Sequence, residues 1–341
     1  MMFMFRLMNI QIGVNKEHCS SNGKKTKIAL TGSLTMLAAG IGSLFYAGNY
    51  LYNLALNKQA NKDAIFTNPS TNNQIPDKDR TDINKKGDSS NFFDTIHYQD
   101  VFLDSDDGLK LHAYQFLNYG HDYVIIVHGY TSEGKLMHAS AKHFYEQGYN
   151  LLLPDLRGHG QSEGDYIAMG WLDRLDIINW IKYLIDNDSK VKIILYGVSM
   201  GAATVMNVTG EKLPVNVIAA IEDCGFTSTW EMFSYQLKEM YNLPSRPFLD
   251  IANIVTQIRA GYSFGKAEAI EQVKKSTTPT LFIHGDKDRF VPFKMLNQLY
   301  QSANCPKEKL VIKGAGHAQC EKIGGQVYWS KIDSFIRKYQ D

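Results

Sequence analysis

The sequence has no surplus of either charge: 36 Lys and Arg stand against 35 Asp and Glu, a formal net charge of +1. Such a balance gives no electrostatic pull toward nucleic acid or toward a strongly charged substrate. Cysteine is scarce too. Cys19, Cys224, Cys305 and Cys320 lie far apart, with no Cys-x-x-Cys pair and no metal-ligand spacing to histidine. Scattered thiols are therefore expected, and a disulfide among the last three stays open at this level. No internal repeat is visible, which excludes a solenoid or propeller. What remains is a chain of 341 residues, 44% of them hydrophobic, enough to bury a sizeable core.

Charge is absent altogether from Ile28 to Asn57. The apolar core of that stretch, Ile28–Ala47, is long enough as a helix to cover a ~30 Å hydrocarbon layer. Lys24, Lys25 and Lys27 precede it, and basic residues stay cytoplasmic. The expectation is a cytoplasmic segment over 1–27 and a single transmembrane anchor over 28–50, with the remainder outside the cell. A cleaved signal peptide is the second reading, weakened by the missing A-x-A site, and a buried helix is the third. The following stretch is rich in Asn, Lys, Asp and Ser and nearly empty of large apolar residues. It is expected to be a flexible linker over 51–91, since it cannot bury enough surface to offset its ordering entropy. A globular domain is expected over 92–341.

Within that domain, alternation around the turn Ser105–Gly108 predicts two antiparallel strands. Short apolar runs then alternate with helical patterns: Tyr123–His128, Asn150–Asp155, Lys192–Gly197, Val217–Asp223, Thr280–Gly285 and Lys309–Gly314 as strands. Continuous apolar strands separated by helices predict a mostly parallel eight-stranded sheet flanked by helices. The rhythm breaks at about 227–275, where Pro244 and Pro247 interrupt helical stretches, and a short helical lid is expected there.

Gly197-Val198-Ser199-Met200-Gly201 matches G-x-S-x-G. About 0.1 such matches are expected by chance in a chain of this size, so the pattern alone is weak. Its setting is specific, because it follows an apolar strand and opens a helix, as a nucleophile elbow requires. Ser199 is the expected nucleophile. A serine hydroxyl needs a general base, and in such sheets the order along the chain is Ser, acid, His. Only His284 and His317 follow Ser199. His284 precedes any acid in its own loop, which leaves His317, in a loop of small residues after the last strand. The preferred acid is Asp288, with Asp223 and Asp286 as alternatives. Asp286 is suited to hold the local backbone instead. Oxyanion donors are expected from the backbone N–H of Met200 and of Tyr130, in the loop after the first parallel strand. His128 is read as a brace for that loop, and Asp155-Leu156-Arg157-Gly158-His159 as a structural loop.

With these residues assembled, the chain resembles the α/β-hydrolases with short lids. Within them it looks like the membrane-anchored cell-surface hydrolases of Gram-positive bacteria, related to esterase and acylaminoacyl-peptidase-like enzymes. VHGY, DLRGHGQSEG, YGVSMG, EDCGFTS, LFIHGDKDRFVP and GAGHA carry the resemblance, in order, from about Phe92 to Tyr339. It implies the α/β-hydrolase fold and no cofactor or metal. It also implies a small-molecule ester or peptide substrate, cleaved by Ser199, Asp288 and His317 with Tyr130 and Met200 as oxyanion donors. It leaves the substrate and the oligomeric state open.

Overall fold

The computed structural model describes residue 40, residues 42–62, residue 65 and residues 91–340. The chain divides into two compact units, Met1–Leu44 and Phe45–Asp341. Residues 1–39 and 41, which hold most of the expected anchor, lie outside the described residues, as do 63–64 and 66–90 of the expected linker. No helix among the described residues is long and apolar enough to cross a membrane.

Eight strands form one sheet: β1 (Gln99–Asp104), β2 (Lys110–Phe116), β3 (Asp122–Val127), β4 (Asn150–Pro154), β5 (Lys192–Val198), β6 (Val217–Asp223), β7 (Thr280–Gly285) and β8 (Lys307–Ile312). Their spatial order is β1-β2-β4-β3-β5-β6-β7-β8. β1 pairs antiparallel with β2, and β2 with β4. The other pairs are parallel. The expected mostly parallel eight-stranded sheet is therefore present, with its antiparallel hairpin at the start.

The continuous apolar runs have the reason anticipated for them. Successive side chains of a strand face opposite sides, and both sides of this sheet are covered. On β3, Tyr123, Ile125 and Val127 pack into one core, while Val124 and Ile126 pack into the other. The described helices supply the cover: α1 (45–55), α2 (Asn91–Thr95), α3 (His138–Glu146), α4 (Asp173–Asn187), α5 (Met200–Thr209), α6 (Thr229–Tyr241), α7 (Phe248–Ala260), α8 (Ala269–Lys275), α9 (Lys294–Ser302), α10 (Cys320–Gly324) and α11 (Gln326–Gln340). On α4 the buried apolar side chains are Ile177, Trp180, Ile181 and Leu184, the i, i+3, i+4, i+7 stripe of a core-facing helix. Each contributes roughly 1.5–3 kcal/mol of hydrophobic stabilisation. α5 is buried on all sides, because it carries no charged residue and runs between the sheet and α8.

Two boundaries differ from the sequence expectation. Of the excursion at 227–275, where a lid is expected, α6 and α7 line the pocket beside Ser199 and α8 does not. Ala269 and Val273 of α8 are buried in a core cluster with Met206 and Phe282, so α8 belongs to the layer that covers the sheet. Residues 51–62, expected at the start of the flexible linker, instead finish a helix and pack on the domain. Tyr52 and Leu56 are buried, the N–H of Ile167 donates to Leu56 O at 2.8 Å, and Asn57 bridges to Tyr166. The apolar face of this short helix outweighs the polar composition that follows it.

Candidate active site

The parallel strands deliver their following loops to one end of the sheet, the usual position of a ligand crevice in such folds. Six non-glycine residues among the described ones have positive φ. Four of them stand in loops at that end: Thr131 after β3, Ser199 after β5, Cys224 after β6 and Ala318 after β8. Each such residue costs of order 1–3 kcal/mol and persists only where its surroundings enforce it.

Ser199 is the sharpest case, with φ 58° and ψ −116° at the junction of β5 and α5. Its neighbours in the motif are glycines for reasons of space. A Cβ on Gly197 would lie 2.3 Å from Gly201 O, and one on Gly201 would lie 2.1 Å from Val127 O. The strand and the helix therefore meet more closely than any side chain permits. Ser199 N–H donates to Asp223 O at 2.8 Å, which ties the turn to β6.

The structure brings Ser199, His317 and Asp288 into one line. Ser199 Oγ lies 2.8 Å from His317 Nε2, and His317 Nδ1 lies 2.8 Å from Asp288 Oδ2. An ionised carboxylate only accepts, so Nδ1 carries the hydrogen and Nε2 is the acceptor facing the serine hydroxyl. Asp288 Oδ1 is fixed by the N–H groups of Phe290 at 2.9 Å and Val291 at 2.8 Å. Burial pushes the Asp288 carboxyl up, but the two histidines beside it, His317 and His284, outweigh burial and hold it down at about 2. The Phe290 ring lies against the His317 ring, with centroids 4.9 Å apart.

The alternatives for the acid are placed elsewhere. Asp223 accepts from the Tyr328 hydroxyl at 2.9 Å, and burial raises its carboxyl. Asp286 Oδ1 accepts the N–H of Gly314 at 2.7 Å and so fastens the His317 loop to the Asp288 loop. His284 is buried with its Nε2 3.0 Å from Val291 O and 3.3 Å from Asp288 Oδ2, behind the carboxylate.

Met200 opens α5 directly after Ser199, where helix N–H groups have no intrahelical acceptor and the dipole is positive. The loop after β3 passes close by, since a Cβ on Gly129 would lie 3.5 Å from Ser199 Cβ. Tyr130 is the next residue. Its hydroxyl donates to Ala55 O of α1 at 2.6 Å, a link that nothing in its sequence motif announced. His128 braces this loop as expected. Its Nδ1 donates to Gly129 O at 2.8 Å while Nε2 accepts the N–H of Leu156 at 3.0 Å, and burial lowers its pKa. In the next loop Asp155 accepts from the N–H groups of Gly134 at 2.8 Å and Gln161 at 2.9 Å. Arg157 forms a fork with Asp176 at 2.7 and 2.8 Å and also pairs with Asp107.

Cys224, Cys305 and Cys320 are free and buried, and Cys19 lies outside the described residues. Among the described residues, Cys224, Asp288 and His317 are close enough together to hold a metal ion. The group does not suit one. Burial raises the Cys224 thiol well above its usual range, whereas a ligating thiol must lose its proton, and the other two members are bonded to each other.

Above Ser199 lies a pocket with about 800 Å³ of empty volume, part of it open to solvent. Its floor includes Ser199, Tyr130 and Phe290, and its roof comes from α1, α6 and α7. Among the described residues that line it there is no Asp, Glu, Lys, Arg or His.

The family model described as serine aminopeptidase, S33, matches residues 121–222, the stretch from β3 to β6. The protein YqkD of Bacillus subtilis, described as uncharacterized, is 30% identical over 224 residues, which are 64% of this chain and 72% of YqkD. A solved esterase of Pyrococcus furiosus superposes with a TM-score of 0.60 at 22% identity, over 72% of this chain and 93% of that one. The acylaminoacyl peptidase of Pyrococcus horikoshii gives a TM-score of 0.55 at 17% identity, over 72% of this chain and 42% of that one. The fold, the matched family model and the similarity to YqkD together place this chain in the α/β-hydrolase superfamily, in one family with YqkD.

Proposed function

We propose that this chain is a serine hydrolase that cleaves carboxylic esters through an acyl-enzyme. The observation that carries the proposal is the hydrogen-bonded line Ser199–His317–Asp288, each link 2.8 Å, at the floor of an apolar pocket. In the first step Ser199 Oγ attacks the ester carbonyl while His317 Nε2 takes its proton. The N–H groups of Met200 and Tyr130 then stabilise the oxyanion, each worth roughly 10²–10³ in rate. His317 returns the proton to the departing alcohol. Water next attacks the acyl-serine with His317 again as base, releasing the carboxylic acid and restoring Ser199. Asp288 holds His317 in the required tautomer and stabilises its cationic form.

Peptide hydrolysis by the same residues is the second reading, favoured by the description of the matched family model. An aminopeptidase must pair the ammonium group of its substrate, because an unpaired buried charge is costly. Among the described residues that line the pocket there is no carboxylate, which supports the ester. Comparing p-nitrophenyl esters with peptide p-nitroanilides separates the two. Ester turnover is expected to exceed anilide turnover at least 100-fold, and faster anilide cleavage overturns the ester assignment. The part of the charge-free stretch that precedes α1, with Lys24, Lys25 and Lys27 before it, supports anchoring at the cell membrane with the domain outside, which protease accessibility on intact cells tests.

A further inference from the structure

We infer that helix α1, on the N-terminal side of the catalytic domain, is a wall of the substrate pocket and fits it to a long uncharged acyl chain. The inference rests on the ester-hydrolase reading of Ser199. Leu51, Leu54 and Ala55 of α1 line the pocket across from Met232, Phe233 and Met240 of the lid helix α6. With no charged side chain among the described residues of the lining, these walls offer a carboxylate or ammonium no partner for the hydration it would lose. Gln236, a polar residue of the lining, gives its amide N–H to Phe290 O at 2.8 Å, while its buried Oε1 has no hydrogen-bond partner. An aliphatic chain is what such walls accept.

The placement of α1 is specific. The Tyr130 hydroxyl, on the loop beside Ser199, donates to Ala55 O at 2.6 Å. Lys62 Nζ donates to the carbonyls of Leu54 and Asn57, both at 2.7 Å, and closes the C-terminal end of the helix. Arg259 of α7 lies over the Tyr52 ring at 4.2 Å and donates to Asn49 at 2.9 Å and Asn53 at 3.2 Å. At Gly48 a Cβ would fall 2.5 Å from Ile251, so helix and lid are in close contact there. One face of α1 thus shapes the pocket while the asparagines of another face are held by the lid.

The test uses the full chain and p-nitrophenyl esters from acetate to dodecanoate, with fluorophosphonate labelling of Ser199 as the check that the site is formed. For the unaltered chain kcat/KM is expected to rise with acyl length, by up to roughly fourfold per methylene buried. Leu54→Trp fills the pocket and is expected to lower the octanoate-to-acetate ratio at least tenfold. Leu54→Ala enlarges it and is expected to move the optimum to chains at least two carbons longer. Opposite shifts cannot both come from general damage, and if the tryptophan variant does not fold, the alanine variant decides. Acetate turnover with profiles that superimpose for all three proteins overturns the role of α1 while leaving the serine-hydrolase reading intact. Absence of both ester turnover and labelling in the unaltered chain overturns both.

Discussion

Replacing Asp288 by Asn separates this carboxylate from its rivals with the smallest change of shape. The carboxamide oxygen can stay where Oδ1 is and keep the N–H groups of Phe290 and Val291, at 2.9 and 2.8 Å. The amide nitrogen then replaces Oδ2, 2.8 Å from His317 Nδ1. That nitrogen is a donor, so Nδ1 must become the acceptor and the ring hydrogen moves to Nε2. Nε2 then presents a hydrogen to Ser199 Oγ and cannot take one from it. The corresponding change in a serine protease lowers kcat by about 10⁴, which corresponds to roughly 5.5 kcal/mol of barrier. Stability falls as well. The folded carboxyl is held at about 2 against an ordinary 3.8. That depression contributes about 2 kcal/mol, present above pH 4 and lost as pH falls toward 2. The assays are kcat/KM on p-nitrophenyl butyrate and thermal melting at pH 7, with Asp223→Asn in parallel. Asp288→Asn activity within tenfold of the unaltered chain, or the larger loss in Asp223→Asn, refutes the assignment of the acid.

Two further outcomes follow from the packing and the buried charges. Gly201→Ala puts a methyl 2.1 Å from Val127 O, on a central strand that cannot yield. A loss of about 1–3 kcal/mol or more is expected, seen as a drop in melting temperature of several degrees, and an unchanged melt contradicts the close-contact account of the motif. Burial raises the Glu222 carboxyl from 4.5 to about 8, while its Oε2 accepts the N–H of Gly225 at 3.0 Å. The folded form keeps a proton that the unfolded form releases, so this group costs stability as pH rises from about 4.5 to 8. Glu222→Gln keeps the acceptor and removes that cost. Its melting temperature relative to the unaltered chain should climb from pH 5 to pH 9, and parallel curves refute the reading.

Much of the arrangement could be read from the chain because it is local. β3 to β7 each carry a continuous apolar run, β8 at the sheet edge is apolar only over Leu310–Ile312, and β3 through β8 lie within a few residues of the expected strands. Ser199 was marked by the strand before it and the helix after it. The order along the chain leaves His317 as the expected base, because His284 precedes any acid in its own loop; the structure places His284 behind the Asp288 carboxylate. The choice between Asp288 and Asp223 was harder, because both end neighbouring strands and only the third dimension shows which faces the histidine. The role of α1 was not read at all. A stretch without charge suits a bilayer and a protein pocket equally. Asn49, Asn53 and Asn57, four residues apart, were the signal that one face is polar, and Arg259 answers two of them. The ties of Tyr130 to Ala55 and of Arg157 to Asp107 span 75 and 50 residues, distances over which no local pattern operates.

The central claim is that Ser199 is an activated nucleophile, and covalent capture addresses it most directly. The full chain is incubated with a fluorophosphonate, digested, and the adduct located by mass spectrometry. The account predicts a single adduct on the peptide containing Ser199, none in Ser199→Ala, and labelling slowed at least 100-fold in His317→Ala. Equal labelling of the unaltered chain and Ser199→Ala, or an adduct mapped to another residue, contradicts it.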